Sequence, residues 1–141
     1  MGAHHVIDRH DLVGAVHAVA PGGVDYIVSP FSRGNIDSYA AVIRPFGHIA
    51  AIDEPEGLDL LPLKPKSVAW HWELMFTRPI LLPDDSYQHD LLEEAAKLVD
   101  AGKLKTTATT RLGPLNAKTL REAHAKVESS TTIGKVVVTA T

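Results

Sequence analysis

The chain has no cysteine, which excludes a disulfide framework and a thiolate nucleophile. Basic residues form no continuous run and the formal net charge is -3, so no electrostatic case for nucleic-acid binding exists. No apolar run approaches the roughly 20 residues of a membrane-spanning helix. The first residues also lack the layout of a signal peptide. These absences predict a soluble cytoplasmic protein without nucleic-acid or membrane partners.

Three familiar motifs are missing as well. The G-x-G-x-x-G turn that holds a dinucleotide pyrophosphate does not occur, although Gly22 and Gly23 form an isolated pair. The nucleophile elbow G-x-S-x-G is absent around Ser29 and Ser32, where the sequence reads VSPFSRG. No H-E-x-x-H motif is found among the eight histidines. A small hydrolase or a metal-binding protein built on the histidines therefore remains only as a third hypothesis.

Helical and strand patterns alternate along the 141 residues, which suit one domain or one and a part. Apolar spacing and turn residues predict strands over 4–7, 24–29, 47–53, 67–77, 104–112 and 135–140. The same signals predict helices over 8–20, 36–45, 86–102 and 115–130, with Asn116 as a cap, and loops over 54–66 and 78–86.

This alternation is typical of a parallel α/β sheet with helices on both faces. Ligands of such sheets bind beyond the carboxyl ends of the strands. In this sequence those ends lie at Asp8, at Ser29 to Ser32 and at Asp53 to Glu56. The clustered carboxylates at the third position are interpreted as a solvated turn, because Pro55 and Gly57 interrupt them.

Two side-chain patterns on the aromatic strand have competing interpretations. His71 and Glu73 share a strand face, which suits metal ligation, but a zinc site needs three or four converging ligands. We therefore expect no metal ligand. Trp70, Trp72 and Phe76 alternate on the other face, a stripe typical of a core or an interface.

Several stretches together resemble one family. They are GAHHVID, GGVDYIVS, IRPFGHIAAIDEPEGLDLLPLKPKSVAWHWELMFTRP, LVDAGKLKTT and REAHAKVESSTTIGKVVV. The chain resembles the C-terminal portion of zinc-type alcohol dehydrogenase-like proteins in the quinone oxidoreductase branch of the medium-chain dehydrogenase/reductase superfamily. The segments KSVAWHWELMFTRP and AHAKVESSTTIGKVVV are the most specific, and the order of all segments is kept.

The resemblance implies a partial Rossmann-like, mostly parallel sheet that lacks its first two strands, with helices on both faces. A C-terminal strand–helix–strand segment follows. Residues 1–103 would be the C-terminal part of an NAD(P)-binding domain, and residues 104–141 the segment that returns to the catalytic domain. Strand 4–7 would correspond to the third Rossmann strand.

The resemblance also implies cofactor-binding positions for the nicotinamide half of NAD or NADP. These are Ser29, Pro30, Phe31, Ile52, Asp53, Trp72 and Glu73, with Lys135 as a further position. None of them is expected to be a catalytic acid or base. The parent would transfer hydride between the nicotinamide and a small-molecule carbonyl or activated alkene. The chain alone, without the pyrophosphate site, should bind the cofactor weakly or not at all and should lack activity.

Missing strands leave hydrogen-bonding edges open, and open edges seek partners. In the family strand order, strands 1 and 2 separate strands 3 and 4. We therefore expect a homodimer or a higher homo-oligomer that associates through sheet edges. The alternative function is a stand-alone, non-enzymatic module that uses these edges to oligomerise or to bind a partner.

Overall fold

A computed structural model describes residues 2–140, and the chain divides into two compact units, 1–85 and 86–141. The first unit contains α1 (Leu12–Val19), β1 (Val24–Ser29), α2 (Ile36–Val42), β2 (Ile43–Ala51), β3 (Ala69–Trp72) and α3 (Thr77–Leu81). It also contains 3-10 turns at Arg9–Asp11 and Leu61–Lys66. The second unit contains α4 (Tyr87–Asp100), β4 (Ala108–Leu112), α5 (Ala117–Glu128) and β5 (Lys135–Val138).

The first unit is built on a parallel sheet in the order β1–β2–β3. The register pairs Ser29 with Ala51 and Ala51 with Trp72, so the three strands end side by side. This alignment creates the carboxyl-end edge at which parallel sheets bind ligands.

One face of this sheet carries the hydrophobic core. Ile43 and Ile49 are 1% and 0% exposed and cluster with Ile36, Tyr39 and Leu63. Each fully buried branched side chain contributes about 1.5–3 kcal/mol through the hydrophobic effect. The apolar stripe of α2 and the 3-10 turn after β2 therefore hold the sheet from one side.

Local sequence signals explain where several elements begin. The Asp11 carboxylate accepts a hydrogen bond from the Gly14 N–H at 3.2 Å and caps α1. Between α1 and β1, Gly23 has φ +82°, and a Cβ there would lie 2.5 Å from the Val42 carbonyl oxygen. Only glycine fits that turn.

The second unit is a strand–helix–strand arrangement. β4 and β5 pair in parallel, and α5 connects them. Asn116 forms a capping box with Thr119, which confirms the predicted cap. The predicted α/β class with parallel sheets and a C-terminal strand–helix–strand segment is confirmed. The predicted domain division between residues 103 and 104 stays a prediction.

The strand predicted over 4–7 is wrong. These residues form no regular structure, and Val6 is 94% exposed. A strand needs a neighbour to take up its N–H and C=O groups, and none of the described strands lies beside this segment. Within residues 2–140, β1 is hydrogen-bonded to β2 alone, so its other edge is open.

Other boundaries also differ from the predictions. β2 begins at Ile43 rather than 47, continuing through Pro45 and through Phe46, which has φ +63°. β3 ends at Trp72 rather than 77, and the predicted loops contain the 3-10 turn Leu61–Lys66 and the short helix α3. Proline is tolerated early in a helical turn, because the N–H groups there lack intrahelical partners. Among the described residues, no helix is long and apolar enough to cross a membrane.

Candidate functional site

Two buried serines organise the loop after β1. Ser29 and Ser32 are both fully buried, at 0% exposure. The Ser32 backbone N–H donates to Asp53 Oδ2 at 2.6 Å, and its hydroxyl donates to Asp53 Oδ1 at 2.6 Å. Both oxygens of one carboxylate at the end of β2 are therefore held by a single residue of the β1 loop.

The network continues into α2. Ser29 Oγ lies 2.9 Å from Ser32 Oγ and 2.8 Å from Tyr39 Oη, within hydrogen-bond range of both. The Tyr39 hydroxyl also donates to the Phe31 carbonyl at 3.0 Å. Because the Ser29 hydroxyl is occupied within this network, its side chain positions the loop rather than facing solvent.

The environment of Asp53 shifts its acidity. Burial raises the pKa of the carboxyl, but hydrogen bonds from the Ser32 hydroxyl, from the Ser32 N–H and from its own N–H outweigh that effect. The net result is a pKa below the ordinary aspartate value. Asp53 is therefore an anion at neutral pH, fixed at the edge of the sheet.

A cavity of about 370 Å³ opens beside this carboxylate at the ends of β2 and β3. Its walls comprise Ile52, Asp53, Glu54, Pro55, Trp72, Glu73 and Leu74. Ile52 and Trp72 are 56% and 58% exposed, so apolar surface is available to a ligand. The cavity thus combines an aromatic face with three carboxylates.

A second cavity, of about 620 Å³, lies along β1 and α1. Its wall is largely apolar and includes Leu12, Val16, Tyr26, Val28, Pro30 and Phe31. Tyr26, Val28 and Phe31 are 75%, 71% and 74% exposed. This cavity lies toward the open edge of β1.

The structure brings together four of the eight predicted cofactor-binding residues. Ile52, Asp53, Trp72 and Glu73 line the smaller cavity. Pro30 and Phe31 line the larger one. Ser29 is buried in the hydroxyl network, and Lys135 is an exposed residue at the start of β5 in the second unit.

The sequence did not predict Glu54, Pro55 or Leu74 as site residues, although all three line the smaller cavity. Leu74 lies two residues after Trp72, so the alternation of Trp70 and Trp72 places it on the same face. Tyr39 lies within the predicted helix 36–45, and its hydroxyl is part of the buried network. Its partner Ser29 is ten residues away, too distant for any local pattern to reveal.

The smaller cavity suits one half of a nicotinamide dinucleotide better than the other. Apolar Trp72 and Ile52 suit a flat ring, and carboxylates accept hydrogen bonds from ribose hydroxyls. The same carboxylates would repel phosphates, and the wall contains no Lys, Arg or His. The residues present therefore fit the nicotinamide–ribose half and not the pyrophosphate.

Zinc does not fit the described residues. Within 2–140, no group of three or more His, Asp or Glu side chains could hold a metal ion. A structural zinc site needs four ligands and a catalytic one needs three protein ligands.

The comparisons with known proteins agree on one family. The family model described as zinc-binding dehydrogenase matches residues 1–138. A zinc-type alcohol dehydrogenase-like protein of Staphylococcus aureus (strain MSSA476) is 37% identical over 145 residues, covering 98% of this chain and 42% of that protein. A Staphylococcus epidermidis protein of the same description is 36% identical, covering 82% and 35%.

Solved structures give the same result. A crystal structure from Rhizobium etli CFN 42, described as a candidate zinc-dependent alcohol dehydrogenase, has a TM-score of 0.87 at 44% identity. The match covers 98% of this chain and 41% of that one. The CurK enoyl reductase, at 21% identity and a TM-score of 0.72, shares the fold. The chain spans about two fifths of the length of these relatives and belongs to the zinc-binding dehydrogenase family.

Proposed function

We propose that the chain is part of an NAD(P)-dependent oxidoreductase that transfers hydride between nicotinamide and a carbonyl or activated alkene. Family membership supports the reaction class. The relatives are more than twice as long as the matched segment, which supports an activity that needs further residues. The chain alone would be inactive.

One observation carries this proposal. Four residues assigned to the cofactor by family resemblance line a single cavity at the ends of β2 and β3. Parallel sheets bind ligands at this edge, because the strand ends expose backbone groups that are free to contact them. The proposed cofactor site is therefore the cavity of Ile52, Asp53, Trp72 and Glu73.

Each side chain has a proposed part in binding. Trp72 and Ile52 contact the nicotinamide ring and exclude water from it. Asp53, which Ser32 holds as an anion, accepts a hydrogen bond from a ribose hydroxyl. Glu73 places a second carboxylate at the cavity wall. When bound, nicotinamide gives or accepts the hydride. None of these residues is proposed as a catalytic acid or base.

The division of the larger protein is also proposed. Residues 1–103 would belong to the NAD(P)-binding domain and residues 104–141 to the segment that returns to the catalytic domain. Lys135, at the start of β5, is proposed as a further cofactor-binding position. Pro30 and Phe31 would border the nicotinamide from the β1 loop, which Ser29 would position through its buried hydroxyl.

A chimera tests the function. The matching segment of the Staphylococcus aureus relative is replaced by this chain, and binding of NADH and NADPH is measured by fluorescence. We expect micromolar binding of one of them. Replacing Trp72 with Ala should raise the dissociation constant roughly tenfold, because a stacked aromatic is worth about 0.5–1.5 kcal/mol beyond its buried area.

The matched control is Leu61→Ala, at an exposed apolar position outside the cavity wall. It should leave cofactor binding unchanged. A folded chimera that binds neither cofactor contradicts the proposal. So does a Trp72→Ala variant that binds as tightly as the Leu61→Ala control.

The open edge of β1 favours a second candidate function, a homo-oligomeric or partner-binding module without catalysis. Among the described strands, β1 pairs on one side only, and Tyr26, Val28 and Phe31 leave apolar surface exposed next to it. Unpaired backbone groups beside apolar side chains template pairing with another chain. Homodimerisation through this edge is compatible with either function.

A further inference from the structure

The uncovered face of the three-stranded sheet carries a row of rings. Tyr26, His48 and His71 stand on β1, β2 and β3 on the same face. The ring centroids of Tyr26 and His48 are 5.5 Å apart, with an interplanar angle of 19°. The ring centroids of His48 and His71 are 5.3 Å apart, with an interplanar angle of 17°. All three side chains are exposed, and neither the core nor the proposed cofactor cavity uses them.

The two imidazoles approach each other closely. His48 Nδ1 lies 3.0 Å from His71 Nε2. The register explains this proximity, because His48 pairs with Ala69 and Ala50 pairs with His71, which makes the two histidines diagonal neighbours. The sheet thus fixes both backbones, and the Tyr26 ring packs against His48 from the other side.

From this geometry we propose that His48 and His71 form a two-imidazole chelate for a divalent late transition metal, Cu²⁺ above all. Metal–imidazole bonds measure about 2.0–2.1 Å, so two nitrogens 3.0 Å apart enclose an angle of about 90° at the metal. A nitrogen spacing in this range is one that a single metal ion can bridge, and Cu²⁺ accepts such a cis pair of imidazoles.

The exposed rings of His48 and His71 can move to bind a metal ion and leave its other coordination positions open to solvent. The imidazole–imidazole hydrogen bond is replaced by two bonds to the metal when each exposed ring turns by roughly 45°, so that both nitrogen lone pairs point at one ion. Only two protein ligands take part, consistent with the absence of a three-residue metal cluster within 2–140. Water or an added ligand fills the other positions. Cu²⁺ also heads the affinity order of the divalent first-row metals for nitrogen sites.

Tryptophan fluorescence gives a local readout. The chain has two tryptophans, Trp70 and Trp72, and they flank His71 in the sequence. Cu²⁺ bound to His71 would therefore quench both. Because the adjacent residues His4 and His5 also offer imidazoles, the titration uses a background protein with His4→Ala and His5→Ala.

In that background, at about pH 7.5 where free imidazole is neutral, we expect saturable quenching with one Cu²⁺ per chain. Adding His71→Ala or His48→Ala should weaken Cu²⁺ binding at least about tenfold, since the second ligand of a chelate acts at high effective concentration. His124→Ala, an exposed histidine on α5, is the matched control and should change nothing.

Electron paramagnetic resonance counts the ligands independently, and we expect two nitrogens on Cu²⁺. One nitrogen, or quenching that is unchanged by both His48→Ala and His71→Ala, overturns the proposal. Displacement of Cu²⁺ by an equal concentration of Zn²⁺ would overturn the assignment to Cu²⁺. The variants alter exposed side chains, so circular dichroism should match the background protein.

Discussion

Asp53 joins the ends of two strands through one carboxylate. Its hydrogen bonds to Ser32 are charge-assisted and short, and they lower its pKa. A carboxyl whose pKa is lowered by folding stabilises the protein above its unfolded-state pKa. That contribution is lost as the pH falls through the folded-state value.

We therefore predict that Asp53→Asn lowers the free energy of unfolding by about 1–3 kcal/mol at neutral pH, because it removes hydrogen bonds to a charged group. The difference from the wild type should shrink below about pH 4 as Asp53 itself protonates. Urea unfolding at several pH values measures this. Glu54→Gln alters an exposed neighbouring carboxylate and should have little effect. A difference that does not vary with pH would contradict the account.

Tyr39 links the same network to α2. Tyr39→Phe keeps the ring in the core but removes the hydroxyl that contacts Ser29 and the Phe31 carbonyl. We expect a loss of about 0.5–1.5 kcal/mol in denaturant unfolding. Tyr26→Phe removes a hydroxyl from an exposed ring and serves as the control. Equal effects of the two changes would refute a buried role for the hydroxyl.

At the scale of elements, the start of α5 is the best-specified helix end. Asn116 accepts hydrogen bonds from the N–H groups of Lys118 and Thr119. Asn116→Ala should destabilise the chain by about 1 kcal/mol, the usual worth of such a cap. Ser86→Ala is the contrast, because the Ser86 hydroxyl donates to the exposed Asp90 carboxylate and caps no N–H group of α4. Thermal unfolding by circular dichroism compares them, and similar shifts in both variants would count against the capping box.

Elements with a local signal could be predicted from the sequence. β1 occupies residues 24–29 as predicted, because its apolar run is bounded by glycines and by a serine–proline pair. The segment 4–7 contains the β-branched pair Val6 and Ile7 but forms no strand, since pairing depends on a neighbour and not on the segment itself. The 3-10 turn at Leu61–Lys66 was not predicted, because its prolines are typical of a loop.

The candidate site likewise contains features that could be predicted from the sequence and others that could not. Family resemblance located Ile52, Asp53, Trp72 and Glu73, which the parallel register then gathers into one cavity. The bond between Ser32 and Asp53 spans 21 residues and depends on how two loops meet. No periodicity encodes such a meeting, and none indicates that the Ser29 hydroxyl is buried and hydrogen-bonded. The place of Ser29 in the cofactor site stays a prediction.

At the scale of the whole molecule, the open β1 edge predicts self-association. We expect a dimer or larger species in analytical ultracentrifugation at micromolar concentration. Val28→Lys places a charge on the exposed apolar surface of β1 and should shift the protein toward monomer. Val127→Lys, at a 59% exposed position on α5, should leave association unchanged. A monodisperse wild-type monomer would contradict this expectation.

Ile52, Asp53, Trp72 and Glu73 are proposed to supply the nicotinamide side of a cofactor site, and the sequence contains no phosphate-binding G-x-G-x-x-G turn. Isothermal titration of the purified chain with NADPH and NADH tests it most directly. We expect no saturable binding in the micromolar range, because the strongest contacts of a dinucleotide are those to its phosphates. Micromolar binding of either cofactor to this chain alone would contradict it.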